Sequence, residues 1–355
     1  MIPGDIGARL AGIVRAAADA GELPESAIML TASGTWRPAP AEADGGPGTY
    51  ATALPFALAK LAGLEPRALA ARLGAGLDGV PWISSARPTG AGYLTVTVTG
   101  CHLTGLADRI IAAGPAAARS TALAGSRMTA PRLPRPSASW YEAWRSQRDV
   151  VVGRLAQAAG AKVNFLCPQR SGPAASPGQA GLGPLPVAVA CHGPDAVRYA
   201  LARTASGEAR AIERQLSVPN NLANPFVAVS YAHADAASTL RWAAELADPQ
   251  SGPEPDREAI TLPSELRLLE LLSWLPERVA AAARRGRPAE LTSYLENLAH
   301  AWLDCQASCP ALPFRGGAAA RDPAVRAARL LLADAARVTL AAGLHLLGVA
   351  APARI

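Results

Sequence analysis

The stretch Leu291-Thr292-Ser293-Tyr294-Leu295-Glu296-Asn297-Leu298-Ala299-His300-Ala301-Trp302 decides how the C-terminal part of the chain folds. Leu291, Tyr294, Leu295, Leu298 and Trp302 fall at i, i+3, i+4, i+7 and i+11, which places them on one apolar stripe of a helix. Upstream, Leu268, Leu271, Leu272 and Leu275 form a second stripe, which Pro276 is expected to break. Downstream, Asp322 and Pro323 make an N-cap and first-turn pair that opens a third helix carrying Leu331, Ala335, Val338 and Ala342. A break is expected near Gly343. Further out, Pro225 opens a helix through Val229, Tyr231 and Leu240 to Leu246, and Val197 with Leu201, then Ile212 with Leu216, mark two shorter ones. A polar break from Pro249 to Pro263 separates these helices from the final block. Residues 195–355 are therefore expected to form an all-α bundle.

Residues 1–112 read differently, as a small α/β domain. Ile6, Leu10, Ile13 and Val14 recur at helical spacing, and further helices are expected from Leu54 to Leu61 and from Glu65 to Leu77, with Pro66 in a favoured first-turn position. Two strand-like segments follow, Val80 to Ser84 and Tyr93 to Thr99. In the second, Leu94, Val96 and Val98 alternate with Tyr93, Thr95, Thr97 and Thr99, so one face packs on helices and the polar face is open to a partner. Residues 113–194 hold two loop-like stretches, Ala113 to Ser139 and Pro168 to Pro186. Between them lie one helical pattern, Asp149 to Ala159, and an apolar piece, Val163 to Leu166. The chain as a whole is expected to be multidomain, α/β followed by all-α.

Composition narrows the classes of function. Half of the 355 residues are apolar but only 5% are aromatic, so small helix formers supply the hydrophobicity. No apolar run reaches the roughly 20 residues of a membrane span, and no signal peptide is read at the N-terminus, which points to a cytoplasmic protein without a membrane partner. Cys101, Cys167, Cys191, Cys305 and Cys309 show no Cys-x-x-Cys and no paired His, and read as reduced, mostly buried residues rather than metal ligands. The formal charge of +6 permits a polyanionic partner. Lysine occurs only at Lys60 and Lys162, so arginine supplies nearly all the positive charge.

Several motifs together resemble one family. Leu275-Pro276-Glu277, Tyr294-Leu295-Glu296-Asn297-Leu298-Ala299, Ala328-Arg329-Leu330 and Leu344-His345-Leu346-Leu347-Gly348-Val349 resemble, in order and spacing, the DALR-type anticodon-binding domain of arginyl-tRNA synthetases. Asp195-Ala196-Val197-Arg198-Tyr199, Asn224-Pro225 and Tyr231-Ala232-His233-Ala234 resemble the segment leading into that domain. Gly48-Thr49-Tyr50-Ala51-Thr52, Ala59-Lys60 and Gly90-Ala91-Gly92-Tyr93-Leu94 resemble the family's additional N-terminal domain, which contacts the tRNA D-loop. The resemblance implies that residues 113–194 are a degenerate remnant of a class I catalytic domain. That chemistry stabilises phosphate charge with two imidazoles and a lysine loop. The matching positions hold Ser139 and Glu142, and no lysine follows Lys162. The whole is most similar to short arginyl-tRNA synthetase-related anticodon-binding proteins.

By this resemblance the chain is a non-catalytic tRNA-binding protein of translation, a pseudoenzyme with no cofactor, contacting the tRNA elbow and anticodon arm. Two other readings stay open. One is an interaction module or regulatory partner of a full-length aminoacyl-tRNA synthetase; the other is an ATP-using arginine-tRNA ligase, disfavoured by the missing motifs. The expected RNA contacts are Tyr93 with Thr95, where the alternative is a half-buried sheet aromatic, and Tyr231, where the alternative is a tyrosine packed in the bundle seam. Arg284, Arg285 and Arg287, with Arg278, form either a phosphate-binding patch or a solvated turn. Where the family carries another aromatic and a terminal Met beside the anticodon, this chain has Ala228 and Ile355. His233, His300 and His345 are expected to be structural or surface residues, and Trp274, Tyr294 and Trp302 core. DNA is not an expected partner.

Overall fold

In the N-terminal part, α1 (Ile2–Asp19) buries Ile2, Ile6, Leu10 and Val14 along one face. It is followed by α2 (Ala27–Ala32), β1 (Trp36–Pro38), β2 (Thr49–Thr52), α3 (Leu54–Ala62), α4 (Pro66–Ala75), β3 (Ile83–Thr89), β4 (Tyr93–Val98), α5 (Gly100–Thr104) and α6 (Leu106–Ala113). The computed structural model describes residues 1–32, 36–39, 46–135, 137, 139–166, 184–246, 254–312 and 322–355. The strands form one antiparallel sheet in the order β1-β2-β4-β3. The expected strand at 80–84 lies instead at 83–89, because Gly79 adopts φ 81 and turns the chain before the strand starts. Pro88, which cannot donate to a ladder, is accommodated because β3 is an edge strand.

The middle segment is more ordered than the sequence suggests. A 3₁₀ turn (Gly114–Ala118) and β5 (Arg127–Pro131) occupy the stretch expected to be loop. The helix expected from Asp149 starts at Trp140 and forms α7 (Trp140–Ala158), because the Ser139 hydroxyl accepts from the Glu142 amide at 3.3 Å and caps its start. β6 (Lys162–Leu166) then pairs in parallel with β5, from Arg127 opposite Lys162 to Pro131 opposite Leu166. β5, α7 and β6 thus form a β-α-β crossover. Gly153 lets α7 lie directly on the strands: a Cβ there would stand 2.4 Å from that of Ala130. Of the stretch expected to be loop from Pro168 to Pro186, residues 168–183 and Cys167 lie outside the described residues, and α8 (Pro184–His192) begins at its end.

The remainder is helical: α9 (Pro194–Arg203), α10 (Ala209–Leu216), α11 (Pro225–Leu246), α12 (Pro263–Leu272), α13 (Leu275–Arg285), α14 (Ala289–Ser308) and α15 (Pro323–Leu347). The break between α12 and α13 falls at Ser273 and Trp274, and Pro276 opens the next helix rather than ending the previous one. α15 does not break at Gly343. A Cβ at that position would meet Leu295 Cδ2 at 2.4 Å, so the glycine permits a close crossing with α14 instead of a kink. By length and composition α15 is apolar enough to cross a membrane, contrary to the sequence reading. Here it is a central core helix, flanked by α6, α11, α12 and α14. Asp322 caps its start, accepting from the Ala324 amide at 2.9 Å.

Buried apolar residues from the N-terminal unit, from α7 and from the bundle form one connected core. Tyr50 crosses between the first and the last: its hydroxyl donates to Ser273 Oγ at 3.0 Å and its ring lies 5.4 Å from that of Trp274. Burial raises the Tyr50 pKa, so the phenol stays protonated and remains a donor. Arg257 adds a two-pronged bond to Asp108, at 2.9 and 3.1 Å. Trp274, Tyr294 and Trp302 are buried, as expected. Of the described cysteines, Cys305 and Cys309 are buried whereas Cys101 and Cys191 are exposed, which corrects the expectation that most are buried.

Arg329, part of a motif that carried the family resemblance, is an internal strut. Its Nε donates to Glu265 Oε1 at 2.8 Å with the two side chains 7% and 0% exposed, and Glu265 also accepts from the Leu262 amide to cap α12. Removing one partner strands a buried charge. Arg329→Ala is expected to lower unfolding free energy by about 3–5 kcal/mol, read by urea denaturation.

Candidate nucleic-acid interface

The outer face of the N-terminal sheet carries the first group of expected contacts. Tyr93, half-buried, sits between Phe56, edge-on at 4.8 Å between ring centroids, and Arg37, whose guanidinium carbon lies 3.7 Å from the ring centroid. The register rows place Arg37, Ala51, Thr95 and Arg87 side by side across the four strands, so the two arginines flank the threonine on one face. Thr95 is only 2% exposed, and its hydroxyl shares a 2.7 Å hydrogen bond with that of Thr89. This corrects the picture of an open polar face: a central strand leaves Thr95 enclosed, and the exposed side chains are Arg37 and Arg87. The sequence reading missed Phe56, Arg37 and Arg87. Trp36-Arg37-Pro38 is too short to show an alternating pattern.

The second group lies on α11 and the C-terminal tail. Tyr231 is 41% exposed, so it is not packed in the bundle seam, whereas Ala228, one turn earlier, is buried. Ile355 is 77% exposed at the end of a tail that is fastened to the bundle. His233 Nδ1 donates to the Pro352 carbonyl at 2.8 Å, Arg241 Nη1 to that of Ala353 at 3.5 Å, and the Ala350 amide to Asp195 Oδ2 at 3.0 Å. The helix thus holds the tail beside the residues that flank Tyr231. Trp242, 49% exposed and eleven residues beyond Tyr231, is a second aromatic on the same face, about 16 Å along the axis. The apolar pattern gave no signal for it. His300 and His345 are exposed.

The third group is the turn joining α13 to α14. Gly286 takes φ 62 and ends α13 in the left-handed conformation, leaving Arg284, Arg285 and Arg287 exposed around it. Arg285 pairs with Glu290 at 2.9 Å. A cavity of about 780 Å³ opens beside the turn, lined by Arg278, Arg285 and Arg287 together with Trp144 and Arg148 of α7, and Leu201 of α9. Arg148 Nε donates to the Gly286 carbonyl at 3.1 Å. Arg284 is not among the lining residues. The structure therefore brings three of the four expected arginines together with one from the middle segment.

At the start of α7, Ser139 is committed to its cap and Trp140 is buried, donating from Nε1 to Glu213 Oε1 at 3.0 Å. Among the described residues no group of three or more His, Cys, Asp or Glu is placed to hold a metal ion.

Residues 229–355 match the DALR anticodon binding domain. An arginine–tRNA ligase of Frankia alni is 38% identical over 163 residues, 46% of this chain and 29% of that protein. One of Moorella thermoacetica is 36% identical over 164 residues, 46% of this chain and 28% of that protein. The chain is homologous to arginyl-tRNA synthetases. Each match spans less than a third of the length of these relatives. The structure of Thermus thermophilus arginyl-tRNA synthetase superimposes with a TM-score of 0.62 at 14% identity, over 91% of this chain and 96% of that one, a likeness of fold.

The tail anchor gives a pH-dependent prediction. Burial lowers the His233 pKa, with Arg337 and His345 adding like charge and the bond to Pro352 opposing. A depressed imidazole contributes stability that is present above its ordinary value of about 6.5 and is lost as pH falls through the lowered one. Protection of the peptide spanning 349–355 against hydrogen exchange, relative to its unstructured rate at the same pH, is expected to be high at neutral pH, to fall as pH drops below the ordinary imidazole value of about 6.5, and to be low at every pH in His233→Ala.

Proposed function

We propose that this chain binds tRNA at two separated faces and does not aminoacylate it. The observation that carries the reading is the DALR anticodon binding match, within which Tyr231 stands exposed beside a fastened tail. Unpaired loop bases splay out and stack on aromatic side chains, and Tyr231 and Trp242 offer two such platforms on one helix face. On the N-terminal sheet, Tyr93 with Arg37 presents an aromatic and a cation of the kind that meets an unpaired base and its phosphate. Ile355 and the Arg284, Arg285 and Arg287 turn complete the contacts, the arginines meeting the phosphate backbone.

The absence of catalysis is supported by chemistry at the start of α7. Where imidazoles would stabilise phosphate charge, this chain has a capping Ser139 and a Glu142 carboxylate, which repels phosphate. The β-α-β crossover of β5, α7 and β6 supports reading the middle segment as a degenerate remnant of a class I catalytic domain.

Fluorescence anisotropy with labelled total tRNA at low salt is expected to show saturable binding that weakens steeply as salt rises. Tyr231→Ala is expected to weaken it by about 1–3 kcal/mol, the cost of one lost stacking contact. No binding at low salt would overturn the reading. ATP–pyrophosphate exchange with arginine is expected to stay at background, with and without tRNA; exchange above background would establish a ligase instead.

A further inference from the structure

The cavity between α7, α9 and the α13–α14 turn carries mostly positive charge in its lining. Its lining holds four guanidinium groups, from Arg148, Arg278, Arg285 and Arg287, against one carboxylate, Glu290. That carboxylate is taken by Arg285. The other three arginines have no ion pair among the described residues. Arg148 lies over the Trp144 ring at 5.5 Å and Arg278 over the Trp274 ring at 5.4 Å, contacts that hold the guanidiniums in place without neutralising them. Arg287 is exposed at the rim.

Three cations that line one partly enclosed space, none of them in an ion pair among the described residues, raise the local potential and favour an anion. Guanidinium groups match phosphate oxygens in pairs, which a scattered charged surface does not do. The same cavity offers a flat aromatic wall: the Trp144 indole is fixed by its Nε1 bond to the Thr204 carbonyl at 2.9 Å, and Leu201 and Ala202 lie alongside it. At about 780 Å³ the space is in the range of small-ligand pockets and is larger than a phosphate alone needs.

We infer that this cavity binds a nucleotide unit, its phosphate held by Arg148, Arg278 and Arg287 and its base laid against Trp144. The unit is either one residue of an RNA strand or a free nucleoside phosphate; both present the same phosphate and base. The RNA case rests on the tRNA reading above, and the free-nucleotide case stands without it.

The test uses the full chain and two charge-matched variants, Arg287→Glu on the cavity rim and Arg15→Glu on α1, outside the cavity and outside the RNA contacts proposed above. Both residues are exposed and neither makes an ion pair among the described residues, so both variants are expected to fold. Calorimetric titration with ATP and with inorganic pyrophosphate reads the free-nucleotide source, and titration with a short single-stranded RNA reads the strand. In whichever titration shows saturable binding to the parent chain, Arg287→Glu is expected to weaken it about tenfold or more, and Arg15→Glu by less than about threefold. Saturation by ATP assigns the free nucleotide, and saturation by the RNA alone assigns the strand. Equal losses in the two variants would reduce the site to a general basic patch and overturn the inference, as would no binding of any probe. If tRNA still binds while Arg287→Glu leaves every probe unaffected, the cavity inference falls and the tRNA reading stands.

Discussion

The spatial relation of the candidate surfaces depends on the seam at Tyr50. This tyrosine belongs to β2 of the N-terminal sheet, yet its hydroxyl ends on Ser273 and its ring on Trp274, in the break between α12 and α13. A buried phenol must find a partner, and a serine at a helix end, itself donating back to the Glu270 carbonyl at 2.6 Å, supplies one. Around this bond the apolar faces of α1, α6, α12, α13 and α15 merge into one core. The N-terminal sheet is therefore fixed against the bundle rather than joined to it by a linker. A rigid separation lets two weak contact surfaces act on one ligand, because engaging the first raises the effective concentration of the second.

The same seam explains what several family-like residues are doing. Tyr50 and Arg329 lie in motifs that resemble a tRNA-binding family, but both are buried and hold the scaffold together. Tyr93, Tyr231 and Ile355 lie in comparable motifs and reach the surface. A motif match reports shared ancestry; burial separates the positions that keep the fold from those that meet a partner. The middle segment follows this division. α7 supplies apolar residues to the core, a capping hydroxyl at Ser139, and Trp144 and Arg148 to a cavity on its outer side.

Much of the bundle was legible in the sequence because its signals are local. The stripe from Leu291 to Trp302, the Asp322–Pro323 start and the Pro225 start each state their own helix. The errors arose where one residue type serves two purposes. Pro276 is a helix breaker in the interior but a helix opener in the first turn, and only the neighbouring Trp274 turn distinguishes them. Gly343 weakens an isolated helix, yet here it admits Leu295. The β5–β6 pair was invisible because parallel pairing joins segments thirty-odd residues apart and leaves no turn signature. At the site, the arginine turn could be read from sequence, but Arg148 could not, since its approach to Gly286 is a tertiary contact. Thr95 was misplaced for a similar reason: alternation identifies the face of a strand but not what lies beside it.

Sequencing the RNA that co-purifies with the full chain tests the central claim most directly, because it requires no choice of ligand in advance. Strong enrichment of tRNA over its share of total cellular RNA, lost on washing at high salt, is the predicted result. A preparation free of RNA at low salt, or one whose RNA mirrors the bulk cellular pool, would contradict it.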